Sequence, residues 1–459
     1  MKIIDTIELF ISGDWGEETL SDEAPCKVSC IRGADIVPIE NNDFSHIPTR
    51  YISKQSFNSK CLQAGDIVVE KSGGSPTQST GRVSFVSQEL IDSVGNVVCS
   101  NFCVAFRVKQ DWNPLYIYYY LQHVYNNGVF FNFEGKTSGI KNLQLEAAYN
   151  AVPIKDVNIA TQESVVAILD SIQKKMTINR QINQNLEALA KQLYDYWFVQ
   201  FDFPNEVGKP YKSSGGAMTK DSRTNRLLPE NWNVKTISEI EGEIITGKTP
   251  STSDEANSGG EIPFITIDDI RKAPFIYMTE RTLTEKGANS QSNKFLPEGS
   301  LCCSCIGTTG IIGFVGKRGQ TNQQINTIVF EDDINKEFLY FSLNLYFQFA
   351  KAKTGNILPN MNKEEFSNIL VVYPTKDILQ RFHAIASALF SQINNNVIEL
   401  NALTKQRDEL LPLLMNGQVS LNSDLSVHII DFIIFTEFVY SKIPLKQASN
   451  IFPFEKNII

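Results

Sequence analysis

The chain has little of what most catalytic and metal-binding sites use. Its 459 residues include only four histidines, which are too scattered to form an HExxH-like metal pair. The spacings of its eight cysteines include no paired CxxC metal pattern, so we expect no zinc site and instead buried free thiols in a reducing compartment. The formal net charge of −9 argues against a general polybasic coat for nucleic acid, although local basic loops stay compatible with it.

Long hydrophobic runs are also scarce. The opening residues MKIIDTIELF have no apolar run followed by a small-residue cleavage site, so we predict no export and a cytoplasmic protein. Residues 426–440 are strongly apolar, but Asp431 and Glu437 interrupt this stretch and it is too short to cross a membrane. It is either a terminal element packed on a neighbour or an extension with no selected structure, and we expect no membrane contact.

One motif points to a different class of protein. Residues 242–252, GEIITGKTPST, match the letter pattern of a phosphate-binding P-loop. Such a loop joins a buried strand to a helix whose N-terminus faces the phosphates. Here Pro250 and a polar Gly/Ser-rich run follow Thr249, and only 12 residues precede the next strand-like run at Ile262. A plain glycine turn is therefore favoured over an ATPase.

Similar segments occur in the same order in the two halves of the sequence. KCLQAGDIVV at residues 60–69 resembles KFLPEGSLCC at 294–303, which is a shift of 234 residues. At this shift the P-loop-like Lys248 and Thr249 correspond to Asp14 and Trp15, so only the glycine recurs. Other matched positions, at shifts of 234 and then 218, are Gly13 with Gly247, Asp35 with Asp269, Asn142 with Asn360, and Asn183 with Asn401.

Each copy consists of a mixed α/β domain followed by one long helix. Short apolar runs broken by Gly, Ser and Asn predict the domains. Apolar residues at steps of three and four, from Val165 to Trp197 and from Ile378 to Leu414, predict the helices. Neither helix can bury its seam alone, so we expect an antiparallel coiled-coil pair. The predicted boundaries are 1–157 and 228–375 for the domains, 158–200 and 376–417 for the helices, 201–227 for a linker, and 418–459 for a tail.

Four stretches together resemble the specificity (S) subunit of type I restriction–modification enzymes. They are LEALAKQLYDYWFVQFDFP, LPENWNVKTISEI with the following GKTPST, TNQQINTIVF, and LLPLLMNGQV. The resemblance covers nearly the whole chain, to about Val419. It implies two target recognition domains that each read half of a split site in double-stranded DNA, spaced by the two helices. The target would be asymmetric, with an unread spacer and half-site centres about one helical turn, ~34 Å, apart.

The same resemblance implies a non-catalytic subunit that binds methyltransferase (M) subunits, two in number, and restriction (R) subunits. This chain would bind no cofactor, whereas S-adenosylmethionine, ATP and Mg²⁺ would bind to the partner subunits. A single-chain methyltransferase or nuclease, and a coiled-coil scaffold without DNA specificity, stay as alternatives. The nearest match to a methyltransferase motif, DWNPLY, lacks the second proline.

Basic residues on loops are the candidates for DNA contacts, because Lys and Arg bind phosphates and base edges. Gln323, Gln324 and Asn326 fall in a motif that the family reuses across specificities, so we expect them to be structural. The DNA-binding candidates are Lys71, Arg82, Lys136, Lys141, Lys248, Arg271, Lys272, Lys317, Arg318 and Lys353. The candidates for the subunit interface flank the seam of the first helix and are Ile178, Ile182, Leu189 and Tyr196.

Overall fold

The structure is a computed structural model that describes residues 1–73, 78–137, 140–354 and 359–417. Its contacts divide the chain into two units, one of Met1–Thr177 with the residues from Leu403 on, the other of Ile178–Ala402. Each unit combines one mixed α/β domain with segments of both long helices, which confirms the predicted fold class. The tail that the sequence analysis singled out, residues 418–459, lies outside the described residues.

The first domain is built on an antiparallel sheet in which β8 lies between β1 and β4, in the order β1-β8-β4-β6. A second sheet has the order β3-β2-β7, and a third the order β5-β10-β9. The strands are β1 Ile7–Ser12, β2 Cys26–Ile31, β3 Thr49–Ile52, β4 Ile67–Glu70, β5 Ser72–Gly73, β6 Val83–Phe85, β7 Val97–Cys99, β8 Cys103–Val108, β9 Glu134–Thr137 and β10 Ile140–Leu143; the helices are α1 Ile36–Glu40, α2 Lys54–Lys60, α3 Gln88–Val94, α4 Pro114–Asn126 and α5 Leu145–Ala151.

The second domain has a sheet in the order β14-β21-β18-β19-β16 and another in the order β17-β15-β20, and β13 pairs with β22. Its strands are β13 Asn233–Thr236, β14 Glu243–Thr246, β15 Ser258–Ile265, β16 Phe275–Ile276, β17 Arg281–Leu283, β18 Leu301–Ser304, β19 Ile312–Val315, β20 Gln320–Thr321, β21 Ile325–Val329 and β22 Leu370–Tyr373; its helices are α7 Ile237–Ile240, α8 Ile267–Lys272, α9 Glu285–Asn289, α10 Lys336–Thr354 and α11 Lys363–Ser367. Two further strands, β11 Met218–Lys220 and β12 Leu227–Pro229, form a hairpin that begins in the predicted linker and ends in the first residues of the predicted second domain.

The two domains share one topology. The order β1-β8-β4-β6 corresponds to β14-β21-β18-β19. In the smaller sheets, β2 pairs antiparallel with β3 and parallel with β7, and β15 pairs antiparallel with β17 and parallel with β20. The buried aspartates of the repeat also match, since Asp35 accepts from the backbone N–H of Arg32 and Asp269 from that of Thr266. The internal repeat read from the sequence is therefore a repeat of structure.

Helix α6 spans Ile159–Tyr194 and ends in a π-helical turn, Asp195–Val199, while α12 spans Lys376–Met415. In the second unit the two helices run antiparallel, because Asn179 bonds Glu399 at 2.8 Å and Asn183 bonds Asn396 at 2.8 Å. Residue numbers rise along one helix as they fall along the other, as the sequence analysis predicted.

In each unit the long helices add to the core of the domain. In the second unit the end of α6 carries Trp197 and Phe198 into a cluster with Phe382, with ring centroids of Phe198 and Phe382 4.9 Å apart. In the first unit the end of α12 supplies buried Leu411 and Leu414, and Arg407 pairs with Glu40 of α1 at 3.2 Å. The apolar seams therefore extend the cores of the globular domains as well as holding the helices together.

Candidate nucleic-acid interface

The repeated topology brings the same strand ends to one edge of each main sheet. Strands β1 and β4 both pair antiparallel with β8, so their C-terminal ends meet the start of β8, where Ser12 pairs with Val104 and Glu70 with Cys103. In the second domain the ends of β14 and β18 meet the start of β21 in the same way. We call the loops and short strand segments at this end of each sheet the loop edge. It comprises residues 13–15, 71–73, 100–102 and 142 in the first domain and 247–249, 305–307, 322–324 and 360 in the second.

The two loop edges are held by matching backbone hydrogen bonds. In the first domain the N–H of Lys71 donates to the carbonyl of Phe102 at 2.9 Å, and that of Leu143 to the carbonyl of Lys71 at 2.8 Å. In the second domain the corresponding bonds run from Cys305 to Gln324 at 2.7 Å and from Met361 to Cys305 at 2.8 Å. The same scaffold thus presents different side chains at corresponding positions.

A glycine is required at the start of both loop edges. A Cβ on Gly13 would lie 2.0 Å from the carbonyl oxygen of Ser100, and one on Gly247 would lie 2.2 Å from that of Asn322. The next residue then donates its N–H across the gap, from Lys248 to the carbonyl of Thr321 at 3.0 Å in the second domain. Close packing of backbone explains the glycine of the P-loop-like motif, and the loop after it leads into the strand β15 rather than a long helix.

Three of the predicted DNA-binding lysines are exposed at or beside the loop edges. Lys71 follows β4 and Lys248 follows β14, and neither makes an ion pair with any residue that the structure describes. Lys353, near the end of α10, lines the same cavity as Asn360. Unpaired ammonium groups can neutralise phosphates, so these three positions fit the role predicted for them.

Two other candidates point inward. The guanidinium of Arg82 donates to Glu70 at 2.8 and 2.7 Å and to the carbonyl of Gly33 at 2.9 Å. This pairing with the buried carboxylate raises the pKa of Arg82. The ammonium of Lys141 lies 3.3 Å from the carboxylate of Glu134 and donates to the carbonyl of Gln78 at 3.1 Å. Both basic side chains therefore bind partners within the first domain.

The remaining basic candidates lie outside the loop edges, on a helix, on a strand or in a loop at the other end of the sheet. Arg271 and Lys272 lie on α8 and pair with Asp268 and Asp269, respectively. Lys317 and Arg318 follow β19, at the opposite edge of the sheet, and the Arg318 guanidinium lies 3.5 Å from the ring centroid of Phe295. Lys136 lies in β9, opposite Lys141 of β10.

Residues 35–188 and 229–407 both match the family model for the type I restriction modification DNA specificity domain. The chain belongs to the type I restriction–modification specificity (S) subunits. A curated relative, the type I restriction enzyme HindI specificity subunit of Haemophilus influenzae, is 32% identical over 327 residues, which is 60% of this chain and 71% of the relative. The MjaIX specificity subunit of Methanocaldococcus jannaschii is 28% identical over 188 residues, 40% of this chain and 43% of that one.

A solved structure shares the fold of this S subunit. The S subunit of a type I restriction–modification system from M. genitalium superposes with a TM-score of 0.50 at 14% identity, over 92% of this chain and 96% of that one. The resemblance identified from the sequence is thus confirmed, and so is the role of this chain as the DNA sequence-specificity subunit of its system.

The candidates for the subunit interface of this S subunit lie on α6 and the turn that ends it. Ile178, Ile182, Leu189 and Tyr196 are all half-buried, so each leaves part of its apolar surface in water. Close to them, the exposed side of α6 carries polar residues such as Asn185. A stripe of half-buried apolar groups along one helix is compatible with a partner, and the assignment stays a prediction.

The sequence analysis did not single out the turn that precedes β8, and in the equivalent turn before β21 it expected Gln323 and Gln324 to be structural. Asn101 and Phe102 are exposed in the first domain, and Gln323 is exposed in the second. Asn326, by contrast, is buried and accepts a hydrogen bond from Thr246 at 2.7 Å. Neither shift of the repeat, 234 or 218, aligns Phe102 with Gln324, so the sequence alignment gave no signal that this turn reaches the surface.

No group of three or more His, Cys, Asp or Glu among the described residues is placed to hold a metal ion. In the same part of the chain, no helix is long and apolar enough to cross a membrane.

Proposed function

We propose that this S subunit reads an asymmetric, bipartite DNA target, one half with each domain. The observation that carries the proposal is the pair of loop edges, which have matching backbone bonds but unlike side chains. Asn101 and Phe102 in the first domain correspond to Gln323 and Gln324 in the second. Because matched scaffolds place their loops alike and unlike side chains select unlike bases, the two half-sites differ.

An exchange of one domain tests this proposal. Residues 233–373 are replaced by the corresponding domain of a relative of different specificity, which keeps the antiparallel pair β13–β22 in one piece. Sequencing of methylated sites in cells should then show one new half-site, with the other half-site and the spacer length unchanged. A change of both halves together, or a native motif that is continuous or palindromic, would contradict the proposal.

We further propose that the two long helices bind M subunits, two per chain because the chain is a repeat, and that R subunits join through them. The half-buried apolar residues of α6 support this surface, since Leu189 and Ile182 retain exposed apolar area. Leu189→Asp should weaken the capture of purified M subunit. Asn185→Asp introduces the same charge at an exposed position of the same helix and serves as the control. Equal capture by both variants would count against this surface.

Catalysis, in this proposal, belongs to the partner subunits, which bind S-adenosylmethionine, ATP and Mg²⁺ and meet the S subunit and its DNA in the cytoplasm. The close packing at Gly247 supports it, because this packing explains the motif that most resembled a nucleotide site. The purified chain should transfer no methyl group to DNA until M subunit is added. Methylation by the chain alone would favour a single-chain methyltransferase, and a complex that binds DNA without sequence preference would favour a scaffold.

A further inference from the structure

The turn between β7 and β8 exposes an aromatic ring that the fold does not use. Phe102 is 55% exposed, although its backbone is tightly held. The N–H of Cys103 donates to the carbonyl of Ser100 at 2.9 Å, which closes the turn. The carbonyl of Phe102 accepts from the N–H groups of both Lys71 and Ser72 at 2.9 Å. Because these hydrogen bonds fix the backbone of Phe102 against the sheet, its ring is held in a defined position that faces solvent.

Polar and basic groups that suit DNA surround this ring. Asn101, the preceding residue, is exposed, and its amide makes no hydrogen bond with any described residue. Lys71, whose N–H bonds to Phe102, is exposed and unpaired among the described residues. An amide and an aromatic ring on this turn, with an ammonium group on the adjoining segment after β4, match the groups that read base edges, pack against bases and neutralise phosphates.

The second domain has the same turn with different chemistry. The N–H of Ile325 donates to the carbonyl of Asn322 at 3.3 Å, so residues 322–325 correspond to 100–103. Gln323 takes the place of Asn101 and is also exposed, and its Oε1 accepts from the hydroxyl of Thr249 at 2.7 Å. This bond fixes the amide and leaves its NH₂ group to donate to an acceptor on a base. Gln324 takes the place of Phe102 and is only half-buried.

We propose that these two equivalent turns make the base contacts of the S subunit, through Asn101 and Phe102 in one half-site and through Gln323 in the other. The inference rests on the proposed function and specifies which residues of each domain contact bases. It departs from the expectation that Gln323 is structural, because Gln323 is exposed and its amide is oriented by Thr249. Phe102 packs against bases of the first half-site, where an apolar ring suits a thymine methyl group, while Asn101 bonds a base edge beside it. Gln323 donates to a purine N7 or another acceptor in the groove of the second half-site.

The test uses the complete complex of S and M subunits and its native bipartite target. Phe102→Ala should relax the preference at one or two positions of one half-site, with specific affinity lowered about tenfold to a hundredfold, as for a mismatched base pair. Gln323→Ala should relax positions only in the other half-site. Binding to random-sequence DNA of the same length should change little, because phosphate contacts dominate it.

An exposed phenylalanine serves as the matched control. Phe131 is 57% exposed in the same domain and does not lie on the turn. Phe131→Ala should leave the methylated motif unchanged. The inference is overturned if Phe102→Ala behaves like this control, or if Phe102→Ala and Gln323→Ala relax the same half-site. A wild-type complex without a bipartite motif would instead show that the proposed function itself has failed.

Discussion

Removal of Arg82 should destabilise the first domain rather than weaken DNA binding directly. Its guanidinium makes a two-pronged ion pair with Glu70, and the side chains are only 17% and 4% exposed. Arg82→Ala would leave the Glu70 carboxylate buried without a counter-ion. Breaking such a buried pair from one side typically costs ~3–5 kcal/mol. Arg82→Lys should recover only part of this, because an ammonium group cannot donate the same pair of parallel bonds.

Amide hydrogen exchange on the complete chain measures this local effect. If the opening free energy of β4 falls by ~3–5 kcal/mol, its amides should exchange at least roughly a hundredfold faster, since each 1.36 kcal/mol is about a factor of ten. Lys71→Ala is the control, because Lys71 follows the same strand but is exposed and unpaired among the described residues. We expect it to leave exchange unchanged and to reduce DNA affinity in the complex.

The opposite pattern would refute the reasoning. If Arg82→Ala left exchange in β4 unchanged and reduced DNA affinity as much as Lys71→Ala, Arg82 would be a DNA contact. The ion pair seen in the structure would then contribute little to stability.

Three further predictions concern the second unit. Gly247→Ala should destabilise the chain by at least about 1–3 kcal/mol in urea unfolding, because its Cβ would lie 2.2 Å from the carbonyl oxygen of Asn322; an unchanged midpoint would contradict this. The hydrogen bond with Glu337, 2.7 Å long, raises the pKa of His383. The stabilisation from protonated His383 is therefore complete below about pH 6.5 and is lost as the pH rises through the raised pKa. His383→Gln should make the melting temperature fall less between pH 6 and 9, and an equal fall in the variant and the wild type would refute this prediction. Asn396→Ala, which removes an amide bonded across the helix pair, should cost about 1–3 kcal/mol, and a melting temperature equal to that of wild type would contradict it.

The sequence alone predicted the features that depend on local periodicity. The long helices followed from apolar residues at steps of three and four, and α6 does span most of the predicted stretch. The repeat followed from matched glycines and aspartates, since Gly13 and Gly247 meet the same steric demand in both domains. At such positions only one type of residue meets the steric or hydrogen-bonding requirement. The same residue therefore recurs in both halves, and the repeat can be recognised from the sequence.

The candidate DNA-binding residues were harder to rank, because their role depends on partners distant in sequence. Lys71 and Arg82 look alike as basic residues of one loop, yet Arg82 faces the buried Glu70 while Lys71 stays in water. The sequence analysis did not single out Phe102, because nothing in its neighbours shows that the turn lies exposed at the end of the sheet. The order β1-β8-β4 creates that edge, and pairing between strands so far apart leaves no local signal.

The discontinuity of the first unit has a consequence for how the chain is made. Its core includes Leu411 and Leu414, and Glu40 pairs with Arg407, so residues from both ends of the described chain complete it. The second unit, Ile178–Ala402, is translated in between. At ~5–20 residues per second, a ribosome takes roughly 10–45 s to synthesise this insertion. During that interval the apolar surface that Leu411 and Leu414 cover stays exposed on the nascent first domain, so we expect chaperones to bind it until α12 has left the ribosome.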